Sequence, residues 1–241
     1  FKSFLIKNKF ISRGLRADRL YCLFLKTNLI VFIFYGKAYI VDIYKGLVLK
    51  KCDIGFRSPL PSSIYKDEDN LYLGYYGKNK ERNKVFIVKL SIIENELNIK
   101  KYFFKEREVR HIHCIVNDQL SNNIIVSTGD YNDEIGIYSI SKDFKNVKRL
   151  AGSSQIYRTT RIIPTKDYFF WCTDTEISKN FLVSAPRSDL SKYKIISEIN
   201  GPVIYSTVTR DFKFVFSISC EPKTSLKKSS IYYYDLFQFL F

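Results

Sequence analysis

The feature of this sequence that most constrains its fold is a unit that recurs five times. Each unit opens with a short apolar strand after a polar or turn residue, at Asn28, Asn70, Asn123, Asp167 and Asp211. These openings are 42, 53, 44 and 44 residues apart. A recurrence at this interval is typical of repeat folds such as β-propellers, whereas a β-sandwich or a single barrel needs no long-range period.

Further short apolar segments follow in each unit, separated by polar loops. The second segments are Ala38–Val41, Val85–Val88, Ile135–Ile140, Asn180–Val183 and Ile231–Tyr234. Third segments are Leu47–Leu49, Leu97–Tyr102, Val147–Leu150 and Tyr193–Ile196, and the segments that open the next unit are Ile112–Val116, Arg158–Ile163 and Val203–Thr209. No stretch keeps a helical period. The sequence therefore predicts an all-β fold, a β-propeller of five or six four-stranded blades that forms a single domain over residues 1–241.

The two ends of the chain leave the closure of the ring open. The last unit has no clear outer strand, which indicates either truncation or a blade shared between the two ends. The chain starts at Phe1 and contains no Met, which favours truncation at the N-terminus.

Charge and cysteine content limit the classes of partner. The net charge of +15 indicates an anionic partner or, alternatively, a lysine-rich composition without functional meaning. No Lys/Arg run of the kind found in tails occurs, so we expect no nucleic-acid partner.

Five cysteines without a CxxC pair argue against a disulfide framework and favour a reducing, cytoplasmic location. The longest apolar run, Leu29 to Tyr35, is too short for a membrane span. The oligomeric state stays open.

Polar residues follow the predicted strands in a pattern that points to one end of the central channel. The inner strand of a blade runs antiparallel to the next strand, so the start of one lies beside the end of the other. The starts of the inner strands carry His111, His113, Arg158, Arg161 and Tyr205. The ends of the second strands carry Tyr75, Tyr76, Asp130, Asp174, Glu176 and Glu221. We therefore expect these side chains to converge.

The charged members of this set suggest anion binding or acid–base chemistry. Asp130, Asp174 and Glu176 are candidate catalytic residues, because glycosidic hydrolysis needs two carboxyl groups. The two Asp residues are equally well explained as turn caps. Arg158 and Arg161 offer planar guanidinium groups that match a carboxylate. On a regular strand they would face opposite sides, so Arg158 is the predicted primary anion contact unless the chain bends between them.

Two histidines alternate along one strand and point to the same side. His111 and His113 could hold a metal ion with Asp130, but two His and one Asp without further spacing make a weak motif. We expect hydrogen-bonding histidines here, with no metal and no other cofactor. The aromatic run from Phe169 to Trp171 is interpreted as core or as a sugar-stacking platform.

Several segments resemble a known family. Tyr72–Tyr76, Arg110–His113, Ser127–Asp130, Gly152–Arg158 and Trp171–Asp174 are similar to sialidase-like propellers of the BNR (Asp-box) type, in particular uncharacterised ones of bacterial surface-polysaccharide gene clusters. The resemblance runs from about Val41 to Glu221. Ser141–Lys148 lies where an Asp-box would close a blade hairpin and keeps only Ser141 and Asp143 of that motif.

This resemblance implies a propeller that binds or processes an acidic glycan. Sialidases use three carboxylate-binding arginines, an Asp acid/base and a Tyr activated by Glu; here a third arginine and the Tyr–Glu pair cannot be assigned. The substrate-binding residues implied are His111, His113, Arg158, Arg161, Tyr205 and Glu221. The alternatives are an active glycoside hydrolase or lyase, and a non-catalytic scaffold for another protein.

Overall fold

The computed structural model describes residues 19–68, 70–93, 96–218 and 228–236. They form five antiparallel sheets, in each of which the strands are adjacent in chain order. Blade 1 contains β1 (Leu20–Lys26), β2 (Leu29–Phe34), β3 (Lys37–Asp42) and β4 (Leu47–Asp53); blade 2 contains β5 (Ile64–Lys66), β6 (Asn70–Gly74), β7 (Phe86–Ile93) and β8 (Glu96–Phe103); blade 3 contains β9 (Ile112–Asp118), β10 (Asn123–Thr128), β11 (Gly136–Ser141) and β12 (Val147–Gly152); blade 4 contains β13 (Ile162–Pro164), β14 (Tyr168–Cys172), β15 (Asn180–Pro186) and β16 (Lys194–Ile199); blade 5 contains β17 (Val203–Val208), β18 (Lys213–Ile218) and β19 (Ser230–Asp235).

Short 3-10 turns are the only helical elements in these described ranges. They are Pro61–Ser63, Asn132–Glu134, Gln155–Tyr157 and Leu190–Lys192. Accordingly, no helix of the described chain is long and apolar enough to cross a membrane.

The described residues form four hydrophobic core clusters, each between two consecutive blades. Strand alternation explains this arrangement, because neighbouring residues of one strand point to opposite faces of the sheet. In β10, Ile124 and Val126 pack towards blade 2, and Ile125 packs towards blade 4. In β14, Trp171 packs towards blade 3 and Phe170 towards blade 5. Strands buried on two faces read as continuous apolar runs, which is the pattern seen in the sequence.

The prediction of an all-β propeller is confirmed. Five blades are present, and blade 5 has three strands within the described residues. The sequence missed β5, which has only three residues and follows a 3-10 turn. It also placed the start of β13 at Arg158, whereas this strand begins at Ile162. That difference changes the geometry of two candidate site residues.

The turn after Ser141 closes the β11–β12 hairpin. The Ser141 hydroxyl donates to Asp143 Oδ1 at 2.6 Å, and the backbone N–H of Lys145 donates to the same oxygen at 3.1 Å. Phe144 has a φ of 66° and contacts the rings of Tyr72 and Tyr102. These bonds and ring contacts account for the turn and its attachment to blade 2.

The first strands of blades 2, 3 and 4, which are β5, β9 and β13, lie side by side around a central channel. Side chains tie these inner segments together. The Ser62 hydroxyl donates to the carbonyl of His113 at 2.6 Å, and the Thr160 hydroxyl donates to the carbonyl of Val203 at 2.9 Å. At the opposite end of the channel, Arg187 of blade 4 forms an ion pair with Asp118 of blade 3. The channel wall is therefore fixed at each end by contacts between blades.

Candidate functional site

Five of the predicted site residues meet where β9 and β13 begin. We call this group the channel-end cluster; it consists of His111, His113, Asp130, Arg158 and Asp174. All five side chains are largely buried. The antiparallel geometry of the first two strands of a blade brings them together, as the sequence pattern indicated.

A β-bulge places the two histidines. Thr128 of β10 pairs with Ile112, whereas Ser127 pairs with Cys114, so His113 is the extra residue of β9. The imidazole rings of His111 and His113 stack with centroids 4.7 Å apart, and their Nε2 atoms are 2.8 Å apart. His111 Nδ1 lies 3.1 Å from the carbonyl oxygen of Gly77. A carbonyl can only accept, so this Nδ1 carries a proton.

Asp130 reaches the histidines because of the turn that precedes it. Gly129 has a φ of +74°, and a Cβ atom there would lie 2.0 Å from the carbonyl oxygen of Glu134. The Gly129 N–H donates to the carbonyl of His111 at 3.1 Å. The carbonyl of Asp130 accepts from Gln155 Nε2 at 2.9 Å. Asp130 Oδ1 then lies 3.1 Å from Nε2 of His111 and 3.3 Å from Nε2 of His113.

Blade 4 repeats this arrangement with different residues. The backbone N–H of Asp174 donates to the carbonyl of Arg158 at 3.0 Å, as that of Gly129 does to the carbonyl of His111. The Arg158 guanidinium lies between the two carboxylates, 3.5 Å from Asp130 Oδ1 and 3.8 Å from Asp174 Oδ2. Arg158 is thus neutralised by two acidic groups inside the protein.

The cluster shifts the pKa values of its members. Burial lowers the pKa of His113 to about 4, although the hydrogen bond with Asp130 opposes this effect. Burial alone would raise the pKa of Asp130, but the hydrogen bonds and charges of His111 and His113 outweigh it and hold this pKa well below its usual range. Asp130 is therefore a carboxylate at neutral pH and does not suit the role of a general acid.

Two further residues complete the surroundings of the cluster. Arg110 NH1 lies 3.4 Å from Asp130 Oδ2, and the Tyr76 ring packs against His111 with centroids 4.6 Å apart. Tyr76 belonged to the predicted converging set. Arg110 belongs to the segment Arg110–His113 but was not predicted as a site residue. Its position directly before His111 could have indicated that it lies at the site.

Two of the remaining predicted residues, Tyr205 and Glu176, lie elsewhere. Tyr205 of β17 is 60% exposed, and Glu176 is exposed in the loop after β14. Glu221 lies outside the described residues. Phe169, Phe170 and Trp171 are fully buried in the clusters between blades, so they form core and not a sugar-stacking platform.

Arg161 lies apart from Arg158 because the chain bends between them. The Thr159 hydroxyl accepts from the Arg161 N–H at 3.1 Å, and the two arginines precede β13 instead of lying on it. Arg161 lines a cavity of about 730 Å³ in the central channel, whose walls come from β5, β9, β13 and the end of β17. Its Nε is buried without a hydrogen-bond partner. No ion pair of its guanidinium group is found within the described part of the chain.

Comparisons with known proteins show a likeness of fold. No family model matches the chain, and no curated protein matches it. Among solved structures, the tricorn protease aligns with a TM-score of 0.54 and 14% identity over 90% of this chain. The N-terminal domain of Nup159, a β-propeller, aligns with a TM-score of 0.50 and 11% identity over 88% of this chain. The likeness is one of fold. The aligned region is 21% of the tricorn chain and 56% of the Nup159 chain.

Proposed function

We propose that this propeller is a binding module for an anionic ligand of the acidic-glycan class, held in the channel cavity with Arg161 as its carboxylate contact. The observation that carries the proposal is the guanidinium of Arg161, which lines a cavity of about 730 Å³ and has no ion pair within the described part of the chain. A guanidinium that lies at a cavity wall without a carboxylate of the protein is suited to pair with the carboxylate of a ligand.

The other polar groups of the cavity fit this class of ligand. Asn117 of β9 lines the cavity, and its amide oxygen is buried without a hydrogen-bond partner. A sugar acid has a carboxylate for Arg161 and hydroxyl donors for Asn117. Lys66 and Lys166 add positive charge, whereas Asp118, the one acidic residue among the described lining residues, is paired with Arg187. The size of the cavity lies in the range typical of small-ligand sites.

The geometry favours Arg161 over Arg158 as the anion contact. Arg158 was the predicted primary contact, but it lies buried between Asp130 and Asp174. A ligand carboxylate would have to displace one of these groups to reach it. Arg161 needs no such exchange.

Calorimetric titration with an oligosaccharide of uronic acid and with its carboxyl-reduced, neutral counterpart tests the proposal. We expect the acidic oligosaccharide to bind and the neutral one to bind much more weakly. Arg161→Gln should weaken the acidic ligand roughly ten- to hundredfold, as expected for a charged hydrogen bond. Arg107→Gln removes the same charge from an exposed loop position and should leave affinity unchanged. Equal binding of the two oligosaccharides, or an equal effect of the two variants, would refute the proposal.

A further inference from the structure

We propose that His111 Nε2, His113 Nε2 and Asp130 Oδ1 are the protein ligands of a divalent transition-metal ion such as Zn²⁺. This site lies at the end of the channel where the inner strands begin, and it does not depend on the anion proposed for the cavity. It goes against the expectation from the sequence, which treated the histidines as hydrogen-bonding residues.

The first argument is the triangle that the three atoms form. Its sides are 2.8 Å between the two Nε2 atoms, and 3.1 Å and 3.3 Å from these atoms to Asp130 Oδ1. With bond lengths of about 2.0–2.1 Å, neighbouring ligands of a tetrahedral zinc ion stand about 3.3–3.4 Å apart. Only the contact between the two histidines has to widen appreciably, by about half an ångström, for the triangle to form one face of such a site.

The second argument is the orientation of the ligands. The proton on His111 Nδ1 is donated to the carbonyl of Gly77, which leaves Nε2 directed at the centre of the triangle. Metal-binding histidines are commonly held in this way by a backbone carbonyl. Arg110 contacts the other carboxylate oxygen of Asp130, Oδ2, and leaves Oδ1 to face the histidines. Two His and one carboxylate are a known ligand set of catalytic zinc sites, which keep a further position for water or substrate.

The third argument concerns what else could hold three such atoms together. Nδ1 of His111 carries the proton of that imidazole, so when both rings are neutral only His113 can bring a proton to the triangle. One proton cannot satisfy the three close contacts that form its sides. With an additional proton on His111 Nε2, one side would still join two donors or two acceptors. A metal ion satisfies them with all three lone pairs directed at one cation, and it would take the place of that proton.

The positive charge of Arg158, 3.5 Å from Asp130 Oδ1, opposes a cation here. Asp174 offsets that charge from the other side of the guanidinium. Arg110, 3.4 Å from Oδ2 and only partly buried, is the arginine whose removal is least disruptive to the core. The metal proposal therefore makes a distinctive prediction, that loss of this positive charge strengthens cation binding.

Titration of the whole, chelator-treated chain with Co²⁺ and Zn²⁺ tests the site. We expect one Co²⁺ per chain with the visible absorption of a low-symmetry, His-ligated ion, and displacement of Co²⁺ by Zn²⁺. His113→Gln and Asp130→Asn should each weaken binding at least about 100-fold, a larger loss than for outer-shell residues. Circular dichroism checks that these variants fold.

Arg110→Gln keeps the test decisive if the ligand variants do not fold. It should strengthen Co²⁺ binding several-fold, whereas Arg107→Gln, a matched loss of charge outside the site, should leave it unchanged. Absence of stoichiometric Co²⁺ binding to the wild-type chain would overturn the proposal. So would unchanged binding in a folded His113→Gln variant, or weaker binding in Arg110→Gln.

Discussion

At the scale of single residues, burial distinguishes the ion pairs of this protein more than distance does. Arg158 lies 3.5 Å and 3.8 Å from its two carboxylates, and its side chain is 9% exposed. Lys179 and Glu198 approach to 2.8 Å, but their side chains are 70% and 49% exposed. Exposed pairs contribute little because water and salt screen them. A buried charge that loses its partner has no solvent to replace it.

This contrast predicts different costs for two truncations. Arg158→Ala should lower the free energy of unfolding by about 3–5 kcal/mol, because Asp130 and Asp174 lose a shared partner. Lys179→Ala should lower it by less than about 1 kcal/mol. Urea denaturation of the two variants measures the difference. Similar losses for the two would mean that Asp130 and Asp174 are compensated by other groups.

At the scale of elements, the turn after β10 sets the position of Asp130. Gly129 and Gly46 have positive φ values of +74° and +64°, but only Gly129 is crowded. A Cβ atom at Gly129 would lie 2.0 Å from the backbone oxygen of Glu134, whereas no described residue other than the chain neighbours lies within 4 Å of one at Gly46. The segment Ser127-Thr128-Gly129-Asp130 therefore has two roles. Gly129 allows the tight turn, and Asp130 supplies the carboxylate.

Substitution of these two glycines distinguishes the strain of a positive φ from the steric clash of an added Cβ atom. Gly46→Ala should cost about 1–2 kcal/mol, the strain of a left-handed conformation. Gly129→Ala should cost clearly more, because the turn must also move away from Glu134 and carry Asp130 with it. Thermal or urea unfolding measures the stabilities. Equal costs would contradict the close approach at Gly129.

The sequence predicted elements well where burial on two faces dictated them, and less well where contacts between blades did. The runs Ile124–Val126 and Tyr168–Trp171 were predicted as strands from their continuous apolar residues, and in the structure these residues serve two clusters. The start of β13 was misplaced because residues 158–161 form a bend, tied by Thr160 to the carbonyl of Val203 in the next blade. The sequence therefore predicted that Arg158 and Asp130 converge, but it exchanged the environments of Arg158 and Arg161. A bond across 43 residues leaves no local signal.

At the scale of the whole molecule, the two proposed sites lie in different parts of one channel and have opposite ligand charge. The channel-end cluster presents Asp130 and two imidazoles, which suits a cation. The cavity presents Arg161, Lys66 and Lys166, which suits an anion. The inner strand β9 supplies a residue to each site, His113 to the cluster and Asn117 to the cavity. Such a division follows from the propeller itself, since each inner strand carries side chains from one end of the channel to the other.

The net charge of +15 supplies a rival explanation for any binding of acidic ligands, because a basic surface attracts polyanions without a site. The salt dependence of binding distinguishes the surface from the cavity. Charges exposed to solvent are screened over about 8 Å at 0.15 M ionic strength, and over a shorter distance at higher salt. Buried groups are screened less. We expect a long polyanion to lose most of its affinity when the salt is raised from about 0.05 M to about 0.5 M. A short uronic-acid oligosaccharide bound by Arg161 should lose much less.

The Arg161→Gln variant is the control: it should keep the salt-sensitive binding of the polyanion and lose the salt-resistant binding of the oligosaccharide. If the short ligand and the polyanion respond to salt alike, and Arg161→Gln changes neither, the acidic ligand is held by the surface charge and the cavity does not bind it.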